Sequence, residues 1–322
     1  MINLQEIIEA KKNITNLIKE TELRESIYLS NKINGQVFLK LENLQTTNAF
    51  KIRGAFNKLL IIKEENCEIV TASSGNHGQA IALACQKMGL KTTIFLPEKT
   101  PEKKIELIKK YGAQIIIKGD TVDQAEEYGR LMAEKENKFY ISPYNDPAII
   151  AGQGTIGLEI IQQYSKLQSI LVPIGGGGLI SGIAIAVKEN FPDIKIIGIQ
   201  AENDAAMYHS FGKGKLLTND NYPHFPTIAD GLAGGIENNS MTFPIIQKYV
   251  DDILLIKEDL IEKSIYKLWK NENLIVEGAG AVSTAAVLGN PEIFYDQKIA
   301  LIVSGGNINE NTFKKICAKY SF

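Results

Sequence analysis

SILVPIGGGGLISGIAIAVKE, residues 169–189, decides the fold. An apolar run enters four consecutive glycines, Gly175, Gly176, Gly177 and Gly178, and leaves with helical periodicity. That pattern reads as a buried strand, a tight turn and a helix. Glycines let the backbone turn its N–H groups inward, and the helix N-terminus adds a favourable dipole, so the segment reads as a phosphate cradle. A βα turn that binds nothing is the plain alternative, but a simple turn seldom needs four glycines. A dinucleotide fingerprint, with Glu202 on a ribose, fails in both registers: Gly175 and Gly177 are followed by Ile180, and Gly176 and Gly178 by Ser181, where GxGxxG needs a third glycine.

Outward from this unit the same alternation recurs. Runs rich in β-branched residues lie at 37–41, 68–72, 92–96, 114–118, 138–142, 194–201 and 298–304, besides 169–174. Helical periodicity fills 51–65, 77–89, 101–111, 121–136, 154–164, 179–190, 258–272 and 278–289. Strands alternating with helices predict an α/β chain with parallel sheets covered on both faces. The 322 residues are enough for two domains or one large one. No repeat or linker tract marks a boundary, so the loop around NDPAIIAGQGT (145–155) is the candidate crossing point, and residues 203–245 read as an extended loop region. With 35 Lys+Arg against 37 Asp+Glu there is no positive field to gather nucleic acid. No apolar run approaches the length that spans a bilayer, and the charged N-terminus is unlike a signal peptide. Cys67, Cys85 and Cys317 form no CxxC spacing, which fits a reducing cytoplasm.

Three further loops carry chemistry. TASSGNHGQAIALA (71–84) crowds Ser73, Ser74, Asn76 and His77 onto a helix N-terminus, where backbone donors can grip a carboxylate. LKLENLQTTNAFKIRGAFNKL (39–59) places Lys51 at a helix start, between Phe50 and Arg53. A helix N-terminus disfavours a cation and desolvation lowers a lysine pKa, so this amine can serve as a nucleophile or form a Schiff base. KIALIVSGGNIN (298–309) brings Ser304 to the carboxyl edge of the last strand, where ligands of open α/β folds bind.

Together the glycine loop, the Phe-Lys pair followed by Arg-Gly-Ala, the SSGNHG turn and the terminal SGGN resemble the fold type II pyridoxal-phosphate enzymes, whose motifs they match in order. Within that group the chain is most similar to the threonine/serine dehydratase and serine racemase branch, a likeness that TIADGLAGG (227–235) and VEGAGAV (276–282) extend. The resemblance implies two open, twisted, parallel-rich sheets flanked by helices, as in tryptophan synthase β. Residues 1–58 and 146–322 would form a large cofactor-binding domain, and 59–145 a small inserted one. It implies pyridoxal 5′-phosphate held by Lys51 as a Schiff base, with Phe50 against the ring, Asn76 on the ring hydroxyl, Ser304 facing the pyridine nitrogen, and Gly175 to Gly178 with Leu179 around the phosphate. Ser73, Ser74 and His77 would seat the substrate carboxylate, Ser74 being the opposite-face acid/base in racemase-type members. The implied reaction is conversion of L-threonine or L-serine to 2-oxobutanoate or pyruvate plus ammonia by α,β-elimination, with Lys51 the base at Cα. A serine racemase or hydroxyaspartate dehydratase of the same family is the alternative, and a non-catalytic nucleotide or amino-acid-binding module the reading from another class. A cytoplasmic homodimer is expected.

The chain departs from its relatives at three places. Thr47, Asn48 and Ala49 stand where Thr-Gly-Ser or Thr-Gly-Ala is usual, which adds the Asn48 amide near the expected substrate carboxylate. Glu202 and the carbonyl of Ala206 match two cation ligands of metal-binding members, but Tyr208 stands where their Asp would be, so a divalent-cation site is expected to be absent or weakened. The chain ends shortly after SGGN, so the regulatory domain of biosynthetic threonine dehydratases, and feedback inhibition with it, is not expected.

Overall fold

The computed structural model describes residues 2–62, 67–217 and 221–321. It begins with α1 (Leu4–Ile14), capped by Asn3 and Glu6 in a reciprocal capping box, then β1 (Leu23–Glu25), α2 (Ile27–Ile33) and β2 (Gln36–Lys40). After a 3₁₀ turn at Glu42–Leu44 come α3 (Ile52–Ile62), β3 (Glu68–Ala72), α4 (Asn76–Met88), β4 (Lys91–Leu96), α5 (Glu102–Lys109), β5 (Gln114–Ile117), α6 (Val122–Lys135) and β6 (Phe139–Tyr140). The chain continues through α7 (Pro147–Gln163), β7 (Ser169–Pro173), α8 (Gly178–Lys188), β8 (Lys195–Ala201), α9 (Ala206–Lys213), α10 (Thr242–Tyr249) and β9 (Asp252–Ile256). It closes with α11 (Glu258–Glu272), α12 (Gly278–Gly289), β10 (Lys298–Ile302) and α13 (Glu310–Tyr320).

The strands form two sheets. One has the order β1-β2-β10-β7-β8-β9, parallel except for the antiparallel pairing of β1 with β2, and the other the all-parallel order β5-β4-β3-β6. Every residue of β7 is buried, the signature of a central parallel strand covered on both faces. One face packs against α2, α11 and α12, the other against α7, α8 and α10. The α/β class and the two parallel-rich sheets match the expectation from sequence.

Several sequence readings change. NDPAIIAGQGT is not a loop. Asp146 accepts hydrogen bonds from Ala148 and Ile149 N–H, Pro147 opens the helix, and α7 begins there rather than at residue 154. This is an N-cap followed by a proline at the first helical position, where its missing N–H has no cost. Residues 203–245 are less irregular than expected: they hold α9, a 3₁₀ turn at Asp230–Leu232 and the start of α10. The strand expected over 138–142 shortens to two residues. The edge strands β1 and β9 and helices α1, α2 and α13 did not stand out as elements in the sequence, and the predicted end of the 51–65 helix lies outside the described residues.

Helix α7 positions the site. It is buried along most of its length between α3 and α8, the helices that follow Lys51 and the four-glycine loop. The contacts are backbone-close: a Cβ at Gly152 would meet Gly54 Cα at 2.6 Å, and one at Gly182 would meet Ile150 O at 2.4 Å. A buried ion network fixes the same junction. Arg53, fully buried, bonds both oxygens of Glu42 at 2.8 Å and both of Glu159 at 2.5 and 2.8 Å, while Lys40 reaches Glu159 at 2.6 Å. The flanking carboxylates hold the Arg53 guanidinium well above its ordinary pKa, against the opposing effect of burial. Strand β2, the 42–44 turn, α3 and α7 are thereby locked together two residues beyond Lys51.

Candidate active site

Lys51 immediately precedes α3, and its Nζ donates to Pro143 O at 2.8 Å. Burial lowers its pKa to about 8, an effect that the Glu277 carboxylate partly offsets. Phe50 lies beside it, the amine 5.2 Å from the ring centroid. The loop carrying both is stitched to the end of β10: Phe50 N–H donates to Ser304 O at 3.1 Å, and Ala49 bridges to Gly305. Ser304 is buried, with its hydroxyl on Ala279 O at 3.2 Å.

Next to Pro143, Tyr144 leads to the four-glycine loop. A Cβ at Gly176 would sit 2.4 Å from the Tyr144 ring and one at Gly178 3.0 Å from its Cβ. Gly177 has φ +90° and faces Thr242 and Ile246, while Gly175 faces the Leu232 backbone. Thr242 Oγ1 donates to Gly176 O at 2.7 Å. The glycines are therefore required by close packing at each position as well as by the turn. No side chain caps the N-terminus of α8, so its first N–H groups remain for an anion. Helix α4 likewise starts without a side-chain cap, with Ser73 Oγ instead accepting from Gly75 N–H at 3.2 Å. Ser73 and Ser74 are both partly exposed at this end.

The SSGNHG turn joins the other loops through Asn76. Its Oδ1 accepts from Asn307 Nδ2 at 2.7 Å, and its Nδ2 donates to Glu277 Oε1 at 2.6 Å. Asn48 adopts φ +53°, a left-handed conformation that asparagine tolerates better than most side chains. Its amide donates to Asn307 Oδ1 at 3.2 Å. The Asn48 amide is thus engaged within the loop cluster, while the residue itself is exposed. His77 also departs from expectation. It is 3% exposed, with Nε2 on Ile141 O at 3.3 Å, and burial followed by the nearby Lys51 charge lowers its pKa to about 3. The imidazole is neutral, and its Nδ1 is buried with no hydrogen-bond partner among the described residues.

Glu202 is exposed at the end of β8, Ala206 opens α9, and Tyr208 is 38% exposed. No group of three or more His, Cys, Asp or Glu among the described residues has metal-binding geometry. Among those residues no helix is long and apolar enough to cross a membrane.

Sequence reasoning missed Glu277, Asn307, Tyr144 and Thr242. Glu277 is buried, and burial with the Asp230 charge raises its pKa to about 7. Its signal was an acidic residue directly before the helix start GAGAV, and that of Asn307 an amide directly after the glycine pair. Nothing in the local pattern singles out Tyr144 or Thr242.

A lysine with a lowered pKa, a glycine loop at an uncapped helix N-terminus, and a buried serine hydroxyl form one cluster. This donor set fits pyridoxal phosphate: an amine for its aldehyde, N–H groups for its phosphate, a hydroxyl for its nitrogen. The comparisons agree. The family described as pyridoxal-phosphate dependent enzyme matches residues 14–305. The L-threonine ammonia-lyase of Thermotoga maritima is 41% identical over 321 residues, covering 99% of this chain and 79% of that protein. The catabolic L-threonine dehydratase of Escherichia coli K12 is 39% identical over 319 residues, covering 98% and 96%. Among solved structures, maize serine racemase superposes with a TM-score of 0.90 at 32% identity, covering 99% of this chain and 98% of that one.

Proposed function

The chain belongs to the pyridoxal-phosphate dependent enzymes, and from that premise we propose that it is an ammonia-lyase deaminating L-threonine and L-serine by α,β-elimination. The carrying observation is the Lys51 amine, held by burial at a pKa of about 8 and 2.8 Å from Pro143 O, directly before the tyrosine that packs on the glycine loop. Full-length similarity to the threonine ammonia-lyase and dehydratase supports the same reading.

Pyridoxal phosphate would be held by Lys51, Phe50, Asn76, Ser304 and the N–H groups of Gly175 to Gly178 and Leu179, and supplies an electron sink for negative charge at the substrate Cα. The remaining steps belong to this chain's own groups. The uncapped start of α4, with Ser73 and Ser74, seats the substrate carboxylate. Lys51, whose neutral amine is accessible near neutral pH, removes the Cα proton. The Cβ hydroxyl leaves as water, taking up one proton for the one that Lys51 removes from Cα, and hydrolysis of the released enamine gives 2-oxobutanoate or pyruvate and ammonia. Ser304 would offer the cofactor's nitrogen a neutral hydroxyl, not a carboxylate, and so would not keep that nitrogen protonated; this would favour rapid loss of a leaving group over a long-lived carbanion.

In this reading residues 59–145 move as a small domain over a larger one made of 1–58 and 146–322. Two ion pairs span the two parts, Arg130 to Glu237 at 3.0 Å and Lys104 to Asp230 at 3.3 Å, and favour closure over the site. A cytoplasmic homodimer is part of the same proposal, tested by sedimentation and cell fractionation.

The deciding experiment is 2-oxo acid release from L-threonine and L-serine by purified, cofactor-loaded protein. Release from either supports the proposal, and absence of product from both overturns it. Polarimetry on L-serine then distinguishes the racemase alternative, which the likeness to maize serine racemase supports, and product release from 3-hydroxyaspartate would redirect the substrate assignment.

A further inference from the structure

Three asparagines and one glutamate form a chain of side-chain hydrogen bonds running in one direction. Asn48 Nδ2 donates to Asn307 Oδ1 at 3.2 Å, Asn307 Nδ2 to Asn76 Oδ1 at 2.7 Å, and Asn76 Nδ2 to Glu277 Oε1 at 2.6 Å. The four residues come from four segments: the loop before α3, the loop after β10, the start of α4 and the residue before α12. An amide can be turned end for end, so the polarity of such a chain needs groups that only accept: the Thr47 carbonyl, which takes a second bond from Asn307 Nδ2 at 2.8 Å, holds its middle, and an ionised carboxylate holds its Asn76 end.

We propose that Glu277 is a positioning residue that holds the Asn76 end of this amide chain, and with it the N–H that Asn76 presents to the cofactor. With Glu277 ionised, Asn76 turns its NH2 toward it and its oxygen toward Asn307, whose own NH2 is shared between Asn76 Oδ1 and Thr47 O. One N–H of Asn76 goes to Glu277. The other has no protein acceptor among the described residues and is free to donate to an oxyanion such as the cofactor's ring oxygen.

The packing around the carboxylate supports a fixed anchor. Glu277 is 9% exposed, and a Cβ on Gly305 would lie 2.2 Å from its Oε1, so the absence of a side chain there makes its room. Its backbone N–H is held by Gly305 O at 3.1 Å. The charged groups acting on it are Asp230 from the 230–232 turn and Lys104 from α5, and it acts in turn on Lys51. Its pKa of about 7 means that its acceptor-only state can be lost on mild acidification.

The inference rests on the cofactor site argued above and is independent of which amino acid is the substrate. The test uses holoenzyme carrying Glu277→Gln, an isostere that can donate as well as accept, and Asn307→Asp, which puts an acceptor-only group against Asn76 Oδ1. Three quantities are read: the bound cofactor's visible absorption against pH, its dissociation constant by fluorescence, and the melting temperature. Both variants are expected to move the pH midpoint of the absorption change by one unit or more and to weaken cofactor retention about tenfold. Wild-type absorption curves and cofactor retention in both variants overturn the proposal, and so does a lowered melting temperature with an unchanged absorption curve. Wild-type protein that binds cofactor but fails to deaminate threonine would overturn the substrate assignment alone.

Discussion

Replacing Arg53 with methionine removes the centre of the buried ion network while preserving most of the side-chain volume. In the native chain two cations, Lys40 and Arg53, face two carboxylates, Glu42 and Glu159, all of them at most 2% exposed. The substitution leaves two buried carboxylates sharing one ammonium, and Glu42 keeps only the Thr21 hydroxyl as a strong donor. Breaking a buried pair by removing one partner typically costs about 3–5 kcal/mol, because the remaining charge cannot be resolvated. That corresponds to a shift of roughly 10²- to 10³-fold or more in the folded-to-unfolded ratio. Urea unfolding followed by circular dichroism should show a lower midpoint for Arg53→Met, and the double variant Arg53→Met/Glu42→Gln, which restores a neutral cluster, should recover at least about 2 kcal/mol of the loss. An Arg53→Met loss under about 1 kcal/mol, or a double variant as unstable as the sum of the singles, would refute the reasoning that these charges depend on one another.

In cofactor-free protein, trace acetylation of Lys51 followed by peptide mass spectrometry should titrate near pH 8; at pH 7.5 about a quarter of the amine is then neutral, against roughly 0.1% for an ordinary lysine, and a midpoint above 10 contradicts the burial argument. Because the folded pKa of Lys51 lies below its unfolded value, the unfolded chain binds more protons between pH 8 and 10.5, so Lys51 should make stability rise with pH across that window relative to Lys51→Met. The same sign holds for His77, neutral in the fold down to about pH 3: its contribution should be lost as pH falls from 6.5 toward 3, and a His77→Gln variant with an identical acid-unfolding curve would show that the imidazole is not the group concerned. Gly176→Ala would drive a methyl into the Tyr144 ring at 2.4 Å; cofactor affinity measured by fluorescence should fall at least tenfold, and an unchanged affinity would remove the glycine loop from the cradle.

Much of the fold was legible because central parallel strands are continuous apolar runs. SILVP and EIVTA could be placed almost to the residue. DILLI, by contrast, is as apolar a run as these but sits between charged residues, Asp251 before it and Lys257, Glu258 and Asp259 after it, and was not singled out, and the three-residue β1 is too short for periodicity to register. The start of α7 was misplaced because glycines at 152, 154 and 157 look like a loop by composition, whereas in the fold they are the surfaces on which α3 and α8 approach. For the site, each loop was visible on its own, since a lysine at a helix start or a glycine run after a strand is a local pattern. Partners of those residues lie more than 200 positions away in the chain, as with Asn48 and Asn307, 259 apart, and Asn76 and Asn307, 231 apart, and no local pattern reports such pairings.

By itself the sequence determined the α/β class, the four loops at strand ends, and Lys51, Ser304 and the glycine run as the groups to watch, because strand and helix periodicity and turn chemistry are properties of neighbouring residues. Only the tertiary structure decided that Asn48 holds a left-handed backbone, that His77 is buried and neutral, and that Arg53 anchors the helix behind Lys51. It also decided that Glu277 stands at the end of an amide chain crossing the site. These facts depend on desolvation and on contacts between distant segments, which exist only once the two sheets and α7 have brought those segments together.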